Sequence, residues 1–336
     1  MTYSTAMPTP TRTIAGRQVF PIGLGCMNLS HAYGPPLPEA DAQRLLLRAL
    51  DLGVDFFDTA ALYGFGASEE LVGRTLSSQR SRFLLASKCG MQGIEGKRVI
   101  DGRAATLKAT CEDSLRRLRT DHIDLYYLHR WDKAVPIEES MGALADLVRE
   151  GKIGAIGLSE VSAATLRRAH AVHPVAALQS EYSLWTRNPE LGALAACREL
   201  GVAFVAFSPV ARGYLGGVLR DVSTFDAKDI RRSMPRFESA NYAANLRLLD
   251  EARAMADEAG CTLAQLALAW LLAQGEDVIP IPGTTRIDHL EQNLGAARVA
   301  LSSTLVGCLT ALFAPARIAG TRYNEATQAE IDSEEY

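Results

Sequence analysis

Eight short apolar runs separated by amphipathic stretches predict a (β/α)8 barrel of the TIM type in this chain of 336 residues. Three observations carry the prediction. The runs are continuously apolar rather than alternating, as parallel strands covered on both faces are. Helical patterns with one apolar face lie between them. No linker, repeat or low-complexity segment divides the chain, and its length suits one barrel with some long loops, so residues 1–336 read as a single domain.

The elements follow in order. The opening MTYSTAMPTPTRT lacks a basic start and an apolar block, so it is no secretory signal, and residues 1–10 read as a flexible tail. TRTIAGRQVF (11–20) reads as a small hairpin turning at Ala15–Gly16, ahead of a barrel that runs from about residue 18 to 300. FPIGLGC (20–26) is the first strand. Ala42, Leu45, Leu46, Ala49 and Leu50 make a helical face closed by Gly53. VDFFD (54–58) and RFLLASK (82–88) are the next two strands. Leu107, Cys111, Leu115 and Leu118 then make a second helical face. IDLYYLH (123–129) follows. Met141, Leu144, Ala145 and Val148 form a third face, ending at Gly151. IGAIGLS (153–159), VAALQ (175–179) and VAFVAFS (202–208) are strands five to seven. The stretch 209–240, rich in Gly, Arg and Asp and poorly periodic, is a long loop after strand seven, of a length that is usually functional or mobile. LALAWLLA (266–273) reads as a core helix carrying Trp270, far too short to span a bilayer. VIPIP (278–282) is the eighth strand.

Composition narrows the function. The chain is 48% hydrophobic and 22% charged, an ordinary globular balance. A net charge of −4 with no long run of like charges gives no footprint for nucleic acid, and nothing calls for a membrane. The six cysteines form neither CxxC nor a disulfide framework, which fits reduced thiols in a cytoplasm and gives no metal site. Cys26 and Cys89 lie near strand ends, and small buried packing residues is the favoured reading of both.

The strand ends are unusual. Nearly every apolar run finishes on a polar residue: Asp58, Lys88, His129, Ser159, Gln179 and Ser208. In a barrel these ends meet at the C-terminal rim, where catalytic groups gather, and Tyr63 follows in the loop after strand two. A free phenol keeps its proton at neutral pH, and a neighbouring ammonium is expected to lower its pKa and make it a better donor. Lys88 supplies that charge, Asp58 holds and balances Lys88, and His129 donates to a substrate oxygen or tunes Tyr63. The set suits protonation of an oxygen while hydride arrives at its carbon, and no GxSxG or HExxH competes. The plainer reading is an ion pair between Asp58 and Lys88 with Tyr63 packed beside it. That is as good for any one residue, but much weaker for four on successive rim positions.

These residues carry a resemblance. DFFDTAALYG, LLASKCG, IDLYYLHR, GKIGAIGLSE, LQSEYSLW, VAFSPVARGYLGG and IPGTTRIDHLEQN, in that order from about residue 13 to 300, resemble the aldo-keto reductases, and most the plant and microbial branch of perakine-reductase-like and auxin-induced-like proteins. GTRY (320–323) fits as well. The resemblance implies a (β/α)8 fold and reduction of aldehyde or ketone carbonyls with NADPH, NADH being the lesser alternative. It implies Tyr63 as proton donor, Asp58 and Lys88 as its tuning pair, and His129 as the group that orients substrate. Ser159 and Gln179 would hold the nicotinamide carboxamide and Phe207 would stack on the ring. Gly25, Cys26 and Met27 would also contribute to the cofactor site. Ser208, Pro209, Val210, Arg212, Gly213 and Leu215 would face the pyrophosphate. Pro282, Gly283, Thr284, Thr285, Arg286, Gln292 and Asn293 would hold the adenosine end.

That last segment also reads from its own chemistry. Thr285 is expected to cap a helix starting near Arg286, with Asp288 at its third position. A helix N-terminus favours an anion and Arg286 offers a fork for a 2′-phosphate. Relatives often carry a basic residue in place of Thr285, and some an arginine in place of His289. GLGCMN (23–28) lacks a third glycine, so a Rossmann site is not expected. Tyr33, Trp131 and Trp185 are the candidates for a substrate pocket. The expected partner is a small aldehyde or ketone, and a homo-oligomer is compatible with the sequence. Two other classes compete: a cofactor-binding regulatory subunit with little turnover, disfavoured by the intact tetrad, and a Schiff-base enzyme built on Lys88, disfavoured because Asp58 would keep that lysine charged.

Overall fold

The computed structural model describes residues 10–94 and 96–336; most of the expected tail, residues 1–9, lies outside them. Twelve strands occur among the described residues. β1 (Arg12–Ile14) and β2 (Arg17–Val19) form the hairpin, turning through Ala15 at φ 49° and Gly16 at φ 73°. The barrel strands are β3 (Leu24–Gly25), β4 (Phe56–Asp58), β5 (Leu84–Cys89), β8 (Ile123–Leu128), β9 (Ile153–Ser159), β10 (Val175–Glu181), β11 (Ala203–Phe207) and β12 (Val278–Pro280). β6 (Met91–Ile94) and β7 (Lys97–Ile100) form a second hairpin on the rim, which the polar QGIEGKRVI run did not announce.

The eight barrel strands are parallel and hydrogen-bonded in the order β12-β11-β10-β9-β8-β5-β4-β3. The ring closes through Gly23 N to Pro280 O at 3.0 Å and Gly25 N to Pro282 O at 3.4 Å. Gly25 is required at this seam, because a Cβ there would stand 2.9 Å from the carbonyl of Ile281. The first strand is therefore shorter than its seven-residue apolar run. The chain between Phe20 and Gly23 serves the hairpin and the seam instead.

Two apolar layers hold the fold. Phe56, Leu84, Leu125, Tyr127, Val205 and Ile279 fill the barrel interior, with Ile14 and Val19 of the hairpin packed against them. Phe20 N donates to Asp55 Oδ1 at 2.7 Å and Arg17 to Phe83 O at 3.3 Å, so the hairpin caps the N-terminal end of the barrel, away from the C-terminal rim. The outer layer joins strands to helices. Ala42, Leu45, Leu46, Ala49 and Leu50 are all buried on the helix Glu39–Asp51, and Gly53 follows it at φ 92°. The second and third faces lie on the helices Ala104–Leu118 and Ile137–Arg149. Trp270 is fully buried on Leu263–Leu272, a helix held by a reciprocal Thr262–Gln265 cap.

The segment after β11 is more ordered than its sequence implies. Three short 3-10 turns, Ala211–Gly216, Ile230–Ser233 and Pro235–Phe237, precede the helix Ser239–Glu258. Aromatic packing supplies the missing periodicity: Phe237 stacks on Tyr242 with centroids 5.6 Å apart and meets Phe225 at 5.9 Å. Among the described residues no helix is long and apolar enough to cross a membrane.

Candidate active site

Asp58 ends β4, Lys88 lies in β5 and His129 directly follows β8, so three neighbouring strands deliver them to one end of the barrel. Tyr63 is brought in by its loop. Gly64, Phe65 and Gly66 take φ values of 57°, 54° and 99°, which turn the chain sharply into the helix Ala67–Leu76. Gly64 has little room for a side chain, because a Cβ there would stand 3.1 Å from that of Ser30. The helix is fastened below by buried Glu69, which accepts from Ser87 Oγ at 2.5 Å and from Arg117 Nε at 2.7 Å.

Lys88 Nζ is the centre of the cluster. It donates to Asp58 Oδ1 in a short charged bond, to Thr59 O at 2.9 Å and to Tyr63 Oη at 3.2 Å. The other carboxylate oxygen of Asp58 accepts from Gln179 Nε2 at 2.7 Å. The His129 ring meets Tyr63 edge-on with centroids 5.7 Å apart. His31 lies 5.6 Å from Tyr63 on centroids, and the residue-type reading of the sequence passed it over. The Nδ1 atoms of both His31 and His129 are buried without a hydrogen-bond partner among the described residues.

Burial sets the charges. It pulls Lys88 down, but Asp58 and Tyr63 more than restore it, so Lys88 remains an ammonium. Burial pushes Tyr63 up and outweighs the ammonium beside it. The expectation of a lowered phenol pKa is thus corrected: Lys88 moderates the rise without reversing it. His129 is held well below the usual imidazole value by burial and then by the charges of Arg130 and Lys88, so it is neutral. A charged Lys88 with no exposed surface is a poor Schiff-base nucleophile.

A cavity of about 900 Å³ opens over this cluster and runs to the segment before the last barrel helix. Asp58, Tyr63 and His129 line it, with Lys88 sealed behind them. Gly25, Met27, Ser159, Gln179 and Phe207 form its walls beside the tetrad. Ser208, Pro209, Val210, Arg212 and Gly213 continue it through a tightly curled turn, in which Ser208, Ala211 and Arg212 have positive φ. Gly283, Thr284, Thr285, Arg286, Gln292 and Asn293 line the far end.

Several expected residues lie elsewhere. Cys26 is fully buried with its thiol on Leu24 O, and Leu215 packs in the outer core. Pro282 gives its carbonyl to the barrel seam. Trp185 is 3% exposed and stacks on Tyr214 at 4.1 Å, behind the wall. Trp131 donates to Val135 O at 2.9 Å and lies under the guanidinium of Arg168, outside the cavity. Tyr33 alone of the three aromatics lines it, with Arg231 placed 4.8 Å from its ring centre. Thr285 is not the cap: the helix is Ile287–Gly295, Arg286 occupies the capping position, and Thr284 Oγ1 accepts from Arg286 N at 3.1 Å. The Arg286 side chain is engaged by Asp288, Nε to Oδ1 at 2.9 Å.

Other wall residues had no signal in strand pattern. Arg98 comes from the rim hairpin and Arg130 from the residue after His129. Tyr323, Thr327 and Glu330 come from the C-terminal segment. That segment is stapled down by Arg322, which reaches Glu160 and, at 3.2 Å, Glu181, and by Lys133, which donates to Ile331 O at 2.8 Å.

A barrel that gathers carboxylate, ammonium, phenol and imidazole at its C-terminal rim, beside a long cleft, is a (β/α)8-barrel enzyme equipped to handle a proton at an oxygen. Residues 21–312 match the Aldo/keto reductase family. A probable aldo-keto reductase of Glycine max is 45% identical over 307 residues, covering 90% of this chain and 87% of that one. The glycerol dehydrogenase of Gluconobacter oxydans is 29% identical and superposes with a TM-score of 0.85, over 95% of this chain and 99% of that one. An aldo/keto reductase of Klebsiella pneumoniae, solved with NADP and acetate, is 29% identical with a TM-score of 0.71, over 96% and 99% of the two chains. The chain belongs to the aldo/keto reductase family; it is an oxidoreductase.

Proposed function

We propose that the protein reduces aldehyde or ketone carbonyls to alcohols with NADPH, Tyr63 giving the proton. The observation that carries this reading is the Tyr63 hydroxyl at 3.2 Å from a sealed, carboxylate-balanced ammonium, on the wall of a cavity that runs from the tetrad to Thr284–Arg286 and Asn293. At about 900 Å³ the cavity is at the upper end of the usual range for ligand sites. Its walls suit the cofactor: a phenyl ring at Phe207, polar Ser159 and Gln179 beside it, and Gly283, where a Cβ would fall 2.8 Å from Asn28 Oδ1. The NADP bound in the Klebsiella pneumoniae relative supports the same cofactor here. Bound there, the nicotinamide supplies a hydride to the substrate carbon.

The chain's own groups do the rest. Tyr63 hydrogen-bonds the carbonyl oxygen and passes its proton to it as charge develops. Lys88, held by Asp58 and Thr59 O, stabilises the phenolate that results. Asp58 is kept in place by Gln179, so proton handling and the cofactor wall share one hydrogen-bonded unit. Neutral His129 donates to the same oxygen without competing for the proton. Ser159 accepts from Arg130 at 3.2 Å, which leaves its own O–H to donate to the carboxamide. The six free cysteines suit a reducing cytoplasm, where we place the protein.

Consumption of NADPH against a panel of aromatic and aliphatic aldehydes and ketones tests the reading. Turnover is expected. Tight NADPH binding with no carbonyl reduced by the wild-type protein would instead favour a regulatory cofactor-binding role.

A further inference from the structure

Five arginines line the cavity: Arg98, Arg130, Arg212, Arg231 and Arg286. Four have a carboxylate within the protein. Arg98 pairs with Glu330, Arg212 with Glu181, Arg231 with Asp229 and Arg286 with Asp288. Arg130 has none among the described residues. Its Nη1 donates to His129 O at 2.6 Å and to Ser159 Oγ at 3.2 Å, both neutral acceptors. The Nε–Nη2 edge, which takes a carboxylate side-on, makes no hydrogen bond among the described residues.

The surroundings sharpen the point. Among the described residues at this end of the cavity the cations are Lys88, Arg98 and Arg130, and the carboxylates are Asp58 and Glu330, each paired with Lys88 or Arg98. Tyr63 and His129 are neutral. One positive charge is left over, on a half-buried guanidinium anchored to the backbone of His129 itself. A partly desolvated charge without a partner is unfavourable unless a ligand brings the opposite charge.

We propose that the substrate carries an anionic group, a carboxylate foremost, a few bonds from its reacting carbonyl, and that Arg130 receives it. The inference rests on the carbonyl-reduction reading and names the substrate class as oxo acids and carboxyl-bearing aldehydes. Arg130 is bonded to the two strand ends that carry His129 and Ser159, so an anion on its free edge sits beside the carbonyl oxygen held by Tyr63 and His129. Such a contact selects substrates by charge in KM, since it is made before the reaction and kept through it.

The test compares 3- and 4-carboxybenzaldehyde with their methyl esters. The wild-type protein is expected to favour the acids by about tenfold or more in kcat/KM, mostly through KM, as a charge-assisted bidentate contact does. Arg130→Met is expected to bring the acid-to-ester ratio to about one or below, and Arg130→Lys to keep only part of it, since an ammonium supplies the charge without the bidentate fork. Alcohol products give a second readout. Binding of 4-(hydroxymethyl)benzoate to the NADP-loaded protein, followed by fluorescence, should weaken in Arg130→Met, while its methyl ester should not. Equal use of acids and esters by the wild type, or an unchanged ratio in Arg130→Met, would overturn the proposal. Acid-selective binding lost in Arg130→Met, with no aldehyde reduced by any variant, would uphold the anion site and reject carbonyl reduction.

Discussion

The hydroxyl of Tyr63 lies 3.2 Å from the Nζ of Lys88, and that ammonium has no contact with solvent. Its charge is retained because Asp58, and after it Tyr63, outweigh the cost of burial, so the three groups stand or fall together.

Replacing Lys88 by Met leaves Asp58 as a buried charge without its partner. Loss of about 3–5 kcal/mol of stability is expected, read from the midpoint of urea unfolding, together with loss of turnover. A Lys88→Met protein as stable as the wild type would mean that the pair is not ionised.

The charge states give a pH signature. His129 titrates well below its ordinary value of 6.5 and Tyr63 above its ordinary value of 10. Neither changes protonation between pH about 7 and about 9. A flat kcat/KM profile for reduction is expected across that window. An inflection inside it that disappears in His129→Gln would contradict a neutral imidazole.

Glu181 binds the C-terminal segment to the turn after β11, through Arg322 at 3.2 Å and Arg212 at 2.7 Å. Burial raises its pKa, and the two guanidiniums more than offset this, holding it at about 2 instead of 4.5. The unfolded chain therefore takes up the proton first as pH falls. The stabilisation is complete above about pH 4.5 and is lost towards pH 2, on the order of 3 kcal/mol in all. Glu181→Gln should flatten unfolding free energy against pH in this range. An unchanged slope would place the acid sensitivity elsewhere.

Asp288 competes for the guanidinium that a 2′-phosphate would use. Asp288→Ala is expected to tighten NADPH binding several-fold with little effect on NADH, and Arg286→Ala to weaken NADPH more than NADH. Fluorescence titration with both cofactors measures this. Equal changes for both would remove Arg286 from phosphate recognition.

Much of this was legible in the sequence, for a physical reason. A parallel strand buried on both faces must be apolar throughout, so a polar residue at its end stands out, and Asp58, Lys88, His129, Ser159 and Gln179 were found that way. Loops have no such background. Arg130, His31 and Glu330 reach the cavity from segments whose direction depends on tertiary packing, and Tyr323 stands out in the sequence only as part of GTRY (320–323). Of these, His31 was the most findable, two residues from Tyr33 in the same rim loop. Trp131 and Trp185 erred in the opposite sense: position near a strand end does not tell which way an indole turns. The shift of the cap from Thr285 to Arg286 is a boundary error of one residue, but it changes which hydroxyl is engaged.

The most direct measurement is single-turnover hydride transfer in Tyr63→Phe with NADPH already bound. Removing the phenol hydroxyl should slow transfer to an aldehyde by about 100-fold or more while NADPH affinity stays near the wild-type value. Transfer at the wild-type rate would contradict Tyr63 as the proton donor and move that role to another group on the cavity wall.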